Sequence, residues 1–299
     1  MGQPPIGAFV YKRPQHAQRM LKSLLSNPEA STMPIYIYCD GPRTRSDVEQ
    51  VSLTRAVVRQ LAPSHSIIVE RAENMGLANS IISGVSDMCD RHGRAVVLED
   101  DLIFSPTTLR YLSQALDRYE EHEKIMHVSA YMFPVDVRLP ETFLYREATC
   151  WGWATWARAW KKFEPDGRVI RDYLRNQGIE HEFDVRGSMF FTKMLEQQIS
   201  GQNNSWAIRW YGSMAMHEGL AVHPGRSFVL NIGFDGTGEH CTPSDLFDVK
   251  IYDQDIANWT EPTFESAAAV EAMIRYRRSW YHRRPTLATR VRRLWEKVR

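Results

Sequence analysis

Cysteine is scarce in this sequence of 299 residues, and no two cysteines form a CxxC pair. The four that occur lie far apart along the chain, at Cys39, Cys89, Cys150 and Cys241. Such spacing supplies neither the paired ligands of a zinc knuckle nor the framework of a small disulfide-rich protein. We therefore expect a protein of a reducing compartment, the cytoplasm, that depends on its hydrophobic core for stability.

Long hydrophobic runs are also missing. No stretch of about 18 consecutive apolar residues occurs, and the N-terminus lacks a basic region followed by an apolar one. We therefore expect neither a membrane-spanning segment nor a secretory signal. With 43% hydrophobic and 24% charged residues, the composition is that of a globular protein, long enough for one large α/β domain or two small ones.

A net charge of one sign is lacking too, since the formal total is +1, but the distribution is uneven. Residues 275–299 contain ten Lys or Arg residues and one acidic residue, so the remainder is acidic. The apolar residues of this tail share one helical face, at Leu287, Val291, Leu294, Trp295 and Val298. We predict that residues 263–299 form a basic amphipathic helical extension of a domain that spans residues 1–262.

Two roles for this extension remain open. An amphipathic basic helix can lie on an anionic membrane, here as a peripheral contact at its inner face. It can equally pack on the acidic body of the protein, where arginine stems cover apolar surface. No nucleic-acid partner is expected, because no recognition motif accompanies the charge.

The segments present in the first hundred residues alternate between strand-like and helix-like patterns. Apolar runs at 6–11, 34–38, 66–69 and 95–98 read as strands, and helical periodicity separates them. Strands alternating with helices at this spacing indicate βαβ units. The predicted fold class is therefore α/β, with a doubly wound, mostly parallel sheet.

Three consecutive carboxylates, Glu99, Asp100 and Asp101, follow the apolar run at 95–98 directly. A strand buried on both faces cannot enclose three charges, so we expect them at its carboxyl end, the edge where open α/β sheets bind ligands. Hard oxygen ligands suit Mg²⁺ or Mn²⁺, which in turn can hold a diphosphate. The alternative for this triplet alone is a solvated acidic turn.

Tryptophan is concentrated in one region. Four of the nine tryptophans lie between residues 151 and 160, and two more flank residues 207–209. Such density indicates either a packed core or a platform on which sugar rings stack, and the sequence leaves both possibilities open.

Several of these blocks occur together in a characteristic order, at residues 8–13, 34–41, 96–106, 128–131, 144–153 and 164–165. In this respect the chain resembles the GT-A class of nucleotide-sugar glycosyltransferases, in particular N-acetylglucosaminyltransferase I and related bacterial surface-polysaccharide sugar transferases. The resemblance implies a GT-A fold and a metal-dependent hexosyl- or N-acetylhexosaminyltransferase. Such an enzyme would use Mn²⁺ or Mg²⁺ and a nucleotide-sugar donor, a UDP-sugar, with a glycan or lipid-linked acceptor in cell-surface polysaccharide synthesis.

The resemblance also implies roles for individual residues of the acidic triplet and the first two strand ends. Asp101 matches the metal ligand of the family, Asp100 would face the ribose, and Glu99 would face the hydroxyls of the transferred sugar. The block containing Tyr11 and Arg13, together with Asp40, matches places where the family contacts the nucleotide. Without the family, Asp40 reads as a turn-forming residue before glycine.

Two further segments match the family less specifically. Asn74, Gly76 and Asn79 resemble a loop and helix start that lies beside the nucleotide, although Asn-x-Gly also forms ordinary turns. The glycine-rich segment 231–241 resembles a mobile loop that closes over the donor. A histidine in that loop can meet the metal, which makes His240 a candidate metal ligand, with a surface histidine as the alternative.

One departure from the family concerns the catalytic base. Inverting relatives carry an acidic residue inside a Trp-acid-x-x-Trp-like segment, where this chain has Ser205-Trp206-Ala207-Ile208-Arg209-Trp210. Because an inverting transfer needs a group that removes the acceptor's proton, Asp235 and Asp184 become the candidate catalytic residues. A retaining mechanism and a lost activity remain open.

Two other functions remain as alternatives. A nucleotidyltransferase that makes sugar nucleotides would need a glycine-rich phosphate loop after the first strand, and residues 12–14 contain no glycine. A non-catalytic scaffold of the same fold, which binds a membrane or a partner, is compatible with the missing base.

Overall fold

The computed structural model describes residues 2–236 and 246–282. Ten strands are present in these ranges: β1 Ile6–Val10, β2 Ile35–Cys39, β3 Ile67–Glu70, β4 Arg94–Glu99, β5 Leu102–Phe104, β6 Ile125–Ser129, β7 Thr142–Tyr145, β8 Trp153–Trp156, β9 Leu220–Pro224 and β10 Val229–Asn231. Ten α-helices accompany them: α1 Pro14–Leu25, α2 Val48–Leu61, α3 Gly76–His92, α4 Thr108–Arg118, α5 Ala157–Trp160, α6 Gly167–Gln177, α7 Glu180–Phe183, α8 Phe191–Ile199, α9 Trp206–Met216 and α10 Ala267–His282.

Eight of the strands form one sheet, in the order β3-β2-β1-β4-β8-β6-β9-β7. The pairs β2–β3, β1–β2, β1–β4 and β6–β9 are parallel, whereas β4–β8, β6–β8 and β7–β9 are antiparallel. The first four strands are parallel because each is joined to the next through a helix that returns the chain to the same edge. This arrangement confirms the predicted α/β class with a mostly parallel sheet.

Helices cover both faces of the sheet, as expected for a doubly wound fold. Residues of α1, α2 and α4 pack on one face, and residues of α3, α5 and α9 pack on the other. Strand β4 shows why its sequence is apolar throughout: Val96 and Leu98 face the first layer, while Ala95 and Val97 face the second. The charges of the acidic triplet therefore begin where this strand ends.

The tryptophan-rich segment belongs mainly to the core. Five of its side chains are buried, at Trp153, Trp156, Trp160, Trp206 and Trp210. The rings of Trp153 and Trp206 stack with centroids 5.2 Å apart, and Trp160 lies 5.0 Å from Trp210. A buried indole cannot contact a sugar, so the core interpretation is correct for these five residues.

Helix α10 packs on the rest of the protein. Its apolar residues join an aromatic cluster that includes Tyr131, Phe143 and Tyr145. Arg277, also on α10, is fully buried and pairs with Glu147. The apolar stripe predicted at residues 287–298 lies outside the described residues, and the predicted boundary at residue 262 stays a prediction. Among the helices that the structure describes, none has the length and apolarity to cross a bilayer.

Two histidines, His127 and His223, are buried among aromatic side chains. His127 Nδ1 accepts a hydrogen bond of 3.1 Å from the indole of Trp210, and His223 Nε2 lies 2.8 Å from the carbonyl oxygen of Glu147. Burial lowers the pKa of His127 to about 3 and that of His223 to about 4. Both imidazoles are therefore neutral in the folded protein at neutral pH.

We expect the buried histidines to make the folded protein less stable at acidic pH. Because the pKa values of both histidines are lowered in the folded state, their contribution to the free energy of unfolding is fully present above the pKa of an unfolded histidine, ~6.5. This contribution falls as the pH drops towards 4, by up to about 1.4 kcal/mol per pH unit for each histidine. His223→Gln keeps a donor for the carbonyl of Glu147 and should flatten this dependence. Urea unfolding across the range measures it, with the exposed His122→Gln as the control; parallel curves for all three proteins would contradict the prediction.

Candidate active site

Most of the candidate site residues lie at the carboxyl ends of four neighbouring parallel strands. Residues 11–13 follow β1, Asp40 follows β2, residues 74–76 follow β3, and the acidic triplet ends β4. The β1–β4 register, which pairs Phe9 with Glu99, brings the first and last of these segments side by side. The parallel topology thus assembles at one edge residues that are far apart in the sequence.

Arg13 is the central cation of this edge. It precedes the first residue of α1, and its Nη2 donates to Asp100 Oδ1 and, at 3.1 Å, to Asp101 Oδ2. The side chains are 20%, 7% and 19% exposed, respectively, so the three charges are largely withdrawn from water. A charge-assisted bridge of this kind is stronger than an exposed ion pair because solvent screens it less.

The third carboxyl, Glu99, is half-buried beside this bridge. Burial, followed by the charges of Asp101 and Asp100, raises the pKa of Glu99 to about 8 against the opposing effect of Arg13. Burial likewise raises the pKa of Asp100, although Arg13 counteracts it. The cluster therefore has more carboxyl groups than Arg13 alone can neutralise, which favours either a retained proton or a further cation.

A loop that follows β10 closes against the acidic turn. Strand β10 pairs antiparallel with β5, and beyond this pairing Ile232 N donates to the carbonyl oxygen of Asp101 at 2.8 Å. A Cβ atom on Gly233 would lie 2.6 Å from Asp101 Oδ2, so any other residue would require the carboxylate of Asp101 to shift. The loop predicted to cover the donor thus begins at the predicted metal ligand, and His240 lies outside the described residues.

Asp235 continues this loop and meets α1. Its Oδ2 lies 3.2 Å from Nε2 of His16, a largely buried side chain. His16 was missed by sequence analysis, although it lies three residues after Arg13 and therefore on the same face of α1. Asp235 is thus placed beside the carboxylate cluster.

Asp184, the other candidate base, occupies a different position. Its two carboxylate oxygens accept hydrogen bonds from the backbone nitrogen (2.7 Å) and the hydroxyl (2.6 Å) of Thr192, at the start of α8. This residue therefore stabilises the first turn of a helix in the α6–α9 region rather than following one of the four parallel strands.

Asp40 is buried, and protein donors surround its carboxylate. Oδ1 accepts from the nitrogens of Gly41 and Met75, both at 2.9 Å, and Oδ2 accepts from Gly76 N at 3.0 Å and Asn74 Nδ2 at 3.2 Å. The residue thus ties the end of β2 to the start of α3. Its predicted contact with the nucleotide stays a prediction, and its observed contacts are those of the turn-forming alternative.

The remaining predicted residues surround this junction. Asn74 also donates to the carbonyl oxygen of Gly41 at 2.8 Å, and Asn79 Nδ2 donates to that of Met75 at 3.0 Å. Gly76 has a φ of +74°, a left-handed conformation that favours glycine at the start of α3. Tyr11 donates to Asp47 at 3.1 Å, which orders the other side of the edge.

The donor set of this edge fits a hard divalent cation only in part. Carboxylate oxygens are the ligands that Mg²⁺ and Mn²⁺ prefer, and Asp100 and Asp101 supply them. Within residues 2–236 and 246–282, however, no three His, Cys, Asp or Glu side chains are placed to bind one ion together. A cation here would need further ligands from a bound molecule, as Mg²⁺ commonly obtains from substrate phosphates.

Comparisons with known proteins give only distant structural likeness. No protein-family model matches the chain, and no curated protein matches it. Among solved structures, it is similar to a mannosyltransferase from Pyrobaculum calidifontis in complex with GDP-Man and Mn²⁺, at 15% identity and a TM-score of 0.38, over 60% of this chain and 47% of that one. It is also similar to GalNAc-T7 with UDP, GalNAc and Mn²⁺, at 7% identity and a TM-score of 0.44, over 75% and 43%.

A third similar structure is glucosyl-3-phosphoglycerate synthase from Mycobacterium tuberculosis in complex with Mn²⁺, UDP and glucosyl-3-phosphoglycerate. It shares 12% identity at a TM-score of 0.36, over 60% of this chain and 68% of that one. The chain thus spans less than half the length of the mannosyltransferase and of GalNAc-T7. Likeness at this level carries no conclusion about activity, which must come from the residues of the site.

Proposed function

We propose that this protein is a metal-dependent glycosyltransferase that moves a sugar from a nucleotide-diphosphate donor, a UDP-sugar, to a glycan or lipid-linked acceptor. The observation that carries the proposal is the Asp100–Asp101 turn at the carboxyl end of β4, bridged by Arg13 from the end of β1. An arginine between two carboxylates at a ligand-binding sheet edge suits a phosphate-bearing ligand together with a cation. The resemblance to GT-A enzymes in the same blocks supports the same conclusion.

Asp101 is the proposed protein ligand of Mn²⁺ or Mg²⁺. It lies at the tip of the acidic turn, against the loop that leads towards His240, the second proposed ligand. When bound, the ion supplies positive charge to the departing diphosphate, which is the main electrostatic demand of glycosyl transfer. The protein's own contribution is to hold the carboxylate at the sheet edge, where a diphosphate can reach it.

The other residues of the edge are proposed to bind and orient the donor. Arg13 would bind its phosphates, Asp100 its ribose, and Glu99 the hydroxyls of the transferred sugar. The carboxyl group of Glu99 can accept hydrogen bonds from such hydroxyls. We propose that Asp40 acts mainly by shaping the segment Asn74–Asn79 beside the nucleotide, because its own oxygens already accept four hydrogen bonds.

Of the two candidate bases, Asp235 is the better placed. It lies on the loop that contacts Asp101, whereas Asp184 is engaged with Thr192 at the start of a helix. A base must come within hydrogen-bond reach of the acceptor hydroxyl, and a residue of the covering loop meets this requirement most readily. Nε2 of His16, 3.2 Å from its Oδ2, would help to keep the carboxylate of Asp235 in place.

A lipid-linked acceptor in cell-surface polysaccharide synthesis would explain the basic residues 275–299. The Lys and Arg residues of this segment, apart from the buried Arg277, would hold a cytoplasmic enzyme at an anionic inner membrane face. Sedimentation with anionic liposomes, compared between the full chain and one that ends at residue 282, measures this contact. Equal sedimentation would place any membrane contact elsewhere.

A donor screen tests the proposed activity. Purified protein is incubated with UDP- and GDP-linked sugars, with Mn²⁺ or with EDTA, and release of the nucleoside diphosphate is measured. We expect metal-dependent release from a UDP-sugar, and NMR of the product anomer then distinguishes inversion from retention. Release of pyrophosphate from a sugar phosphate and UTP would favour the nucleotidyltransferase instead, and absence of any UDP binding would favour the scaffold.

A further inference from the structure

Arg13 contacts Asp101, the proposed metal ligand, together with its neighbour Asp100. Its single nitrogen Nη2 contacts one oxygen of Asp100 and one of Asp101 at the same time. Two adjacent carboxylates can bind a metal ion in the same way as they bind this guanidinium. The guanidinium therefore neutralises, in the ligand-free protein, the charges that a cation would otherwise neutralise.

The surroundings make this contact competitive with metal binding. Asp101 Oδ2 is enclosed by Arg13 on one side and by the backbone of Gly233 on another. An ion approaching Asp101 would meet the positive charge of Arg13 at close range in a partly buried site, where solvent screens the repulsion poorly. Metal binding at Asp101 would thus be opposed for as long as Arg13 contacts the acidic turn.

A diphosphate removes this obstacle and supplies what the described side chains lack. Phosphate oxygens match the planar donors of a guanidinium as well as carboxylates do, so Arg13 can exchange one anion for the other. The same phosphates supply the oxygen ligands that are missing from the described residues, which hold no three-ligand metal group. One molecule would therefore both draw Arg13 away from Asp101 and supply oxygen ligands for the ion.

We propose that Arg13 couples metal binding to donor binding by acting as an internal substitute for the cation, bridging Asp100 and Asp101 until a nucleoside diphosphate draws it away. This inference rests on the proposed function, and it explains why the metal ion and the nucleotide donor would bind together. By linkage, the diphosphate strengthens metal binding by the same factor as the metal strengthens diphosphate binding. Arg13 is in this respect a positioning residue, because it acts through the two carboxylates.

Titration of Mn²⁺ by calorimetry, with and without UDP, tests the inference. The wild-type protein should bind Mn²⁺ weakly alone and more tightly with UDP. Arg13→Gln should bind Mn²⁺ in the absence of nucleotide more tightly than wild type, on the order of tenfold, and should gain less from UDP. Lys12→Gln is the matched control, since this neighbouring cation pairs with Asp47 instead and its loss should leave nucleotide-free Mn²⁺ affinity unchanged.

Thermal stability provides an independent readout, and Arg13→Lys a second variant. Without Arg13 the acidic turn lacks its cation, so Mn²⁺ alone should raise the Tm of Arg13→Gln at concentrations that leave wild type unchanged. Arg13→Lys keeps the charge and should bind nucleotide-free Mn²⁺ as weakly as wild type does. Tighter metal binding is an effect that mere structural damage would not produce.

The outcomes separate this inference from the function beneath it. If Arg13→Gln binds nucleotide-free Mn²⁺ no more tightly than wild type, while wild type shows Mn²⁺-dependent UDP binding, the substitute role is overturned and the proposed function stands. If neither protein binds UDP with Mn²⁺, both the substitute role of Arg13 and the proposed function are overturned. Equal tightening by Lys12→Gln would show a general charge effect and also overturn the role of Arg13.

Discussion

Asp101→Asn is expected to reduce Mn²⁺-dependent UDP binding and sugar transfer together, with transfer falling on the order of a thousandfold. The physical reason is that the amide keeps the size of the side chain but removes the charge that holds a hard cation. Loss of the cation leaves the departing diphosphate without its main counter-charge, and each factor of ten in rate corresponds to about 1.4 kcal/mol of transition-state stabilisation. Calorimetry with UDP and Mn²⁺, together with initial rates for the best donor, measures both effects.

A matched control shows that the effect belongs to the site. Asp87 is an exposed aspartate that pairs with Arg91 on α3, at 2.7 Å, so Asp87→Asn removes a carboxylate charge without touching the acidic turn. We expect near wild-type rates and metal binding for this variant. Full activity of Asp101→Asn would remove the metal role from Asp101, and an equal loss in both variants would show a general effect of charge.

Arg277→Met is expected to destabilise the folded protein by about 3–5 kcal/mol. Arg277 is fully buried on α10, where it pairs with Glu147 and donates to the hydroxyl of Tyr145 at 3.2 Å. Methionine fills much of the same volume but leaves the carboxylate of Glu147 buried without its counter-charge, and an uncompensated buried charge is costly. Urea unfolding of wild type and variant gives the difference in free energy of unfolding.

Two further variants test the cause of that loss. Glu147→Gln removes the uncompensated charge, so the double variant Arg277→Met/Glu147→Gln should recover part of the stability that Arg277→Met loses. Arg186→Met removes an exposed ion pair between Arg186 and Glu271 of α10, and it should lower the free energy of unfolding by less than about 1 kcal/mol. A loss as small for Arg277→Met as for Arg186→Met would show that α10 contributes little to the fold.

The features that sequence predicted well are those with a local physical cause. Strand β4 was recognisable because it is apolar on both faces and is followed at once by carboxylates, which cannot remain inside a sheet. Parallel topology followed from the alternation of strands and helices. The contact of Arg13 with Asp100 and Asp101 was not predicted, although the structure accounts for it, because parallel strands place their carboxyl ends at one edge.

The features that sequence analysis missed depend on partners that are distant in the chain. The sequence could not distinguish a core from a sugar platform, because tryptophan suits both and only burial decides between them. It identified Asp40 but not the donors from Asn74–Gly76 that occupy its oxygens. The pairing of His16 with Asp235 joins residues more than 200 positions apart, and neither residue type indicates the other.

Hydrophobic periodicity and the cost of burying charge act on neighbouring residues, so they sufficed to identify the fold class and the strand end at which the carboxylates emerge. Which charged residues form pairs became clear from the folded chain. Arg13 lies between two carboxylates, Asp184 stabilises a helix, and Arg277 is buried with Glu147. The reason is that the partners of an ion pair are chosen by packing across the sheet, and packing depends on the whole chain at once.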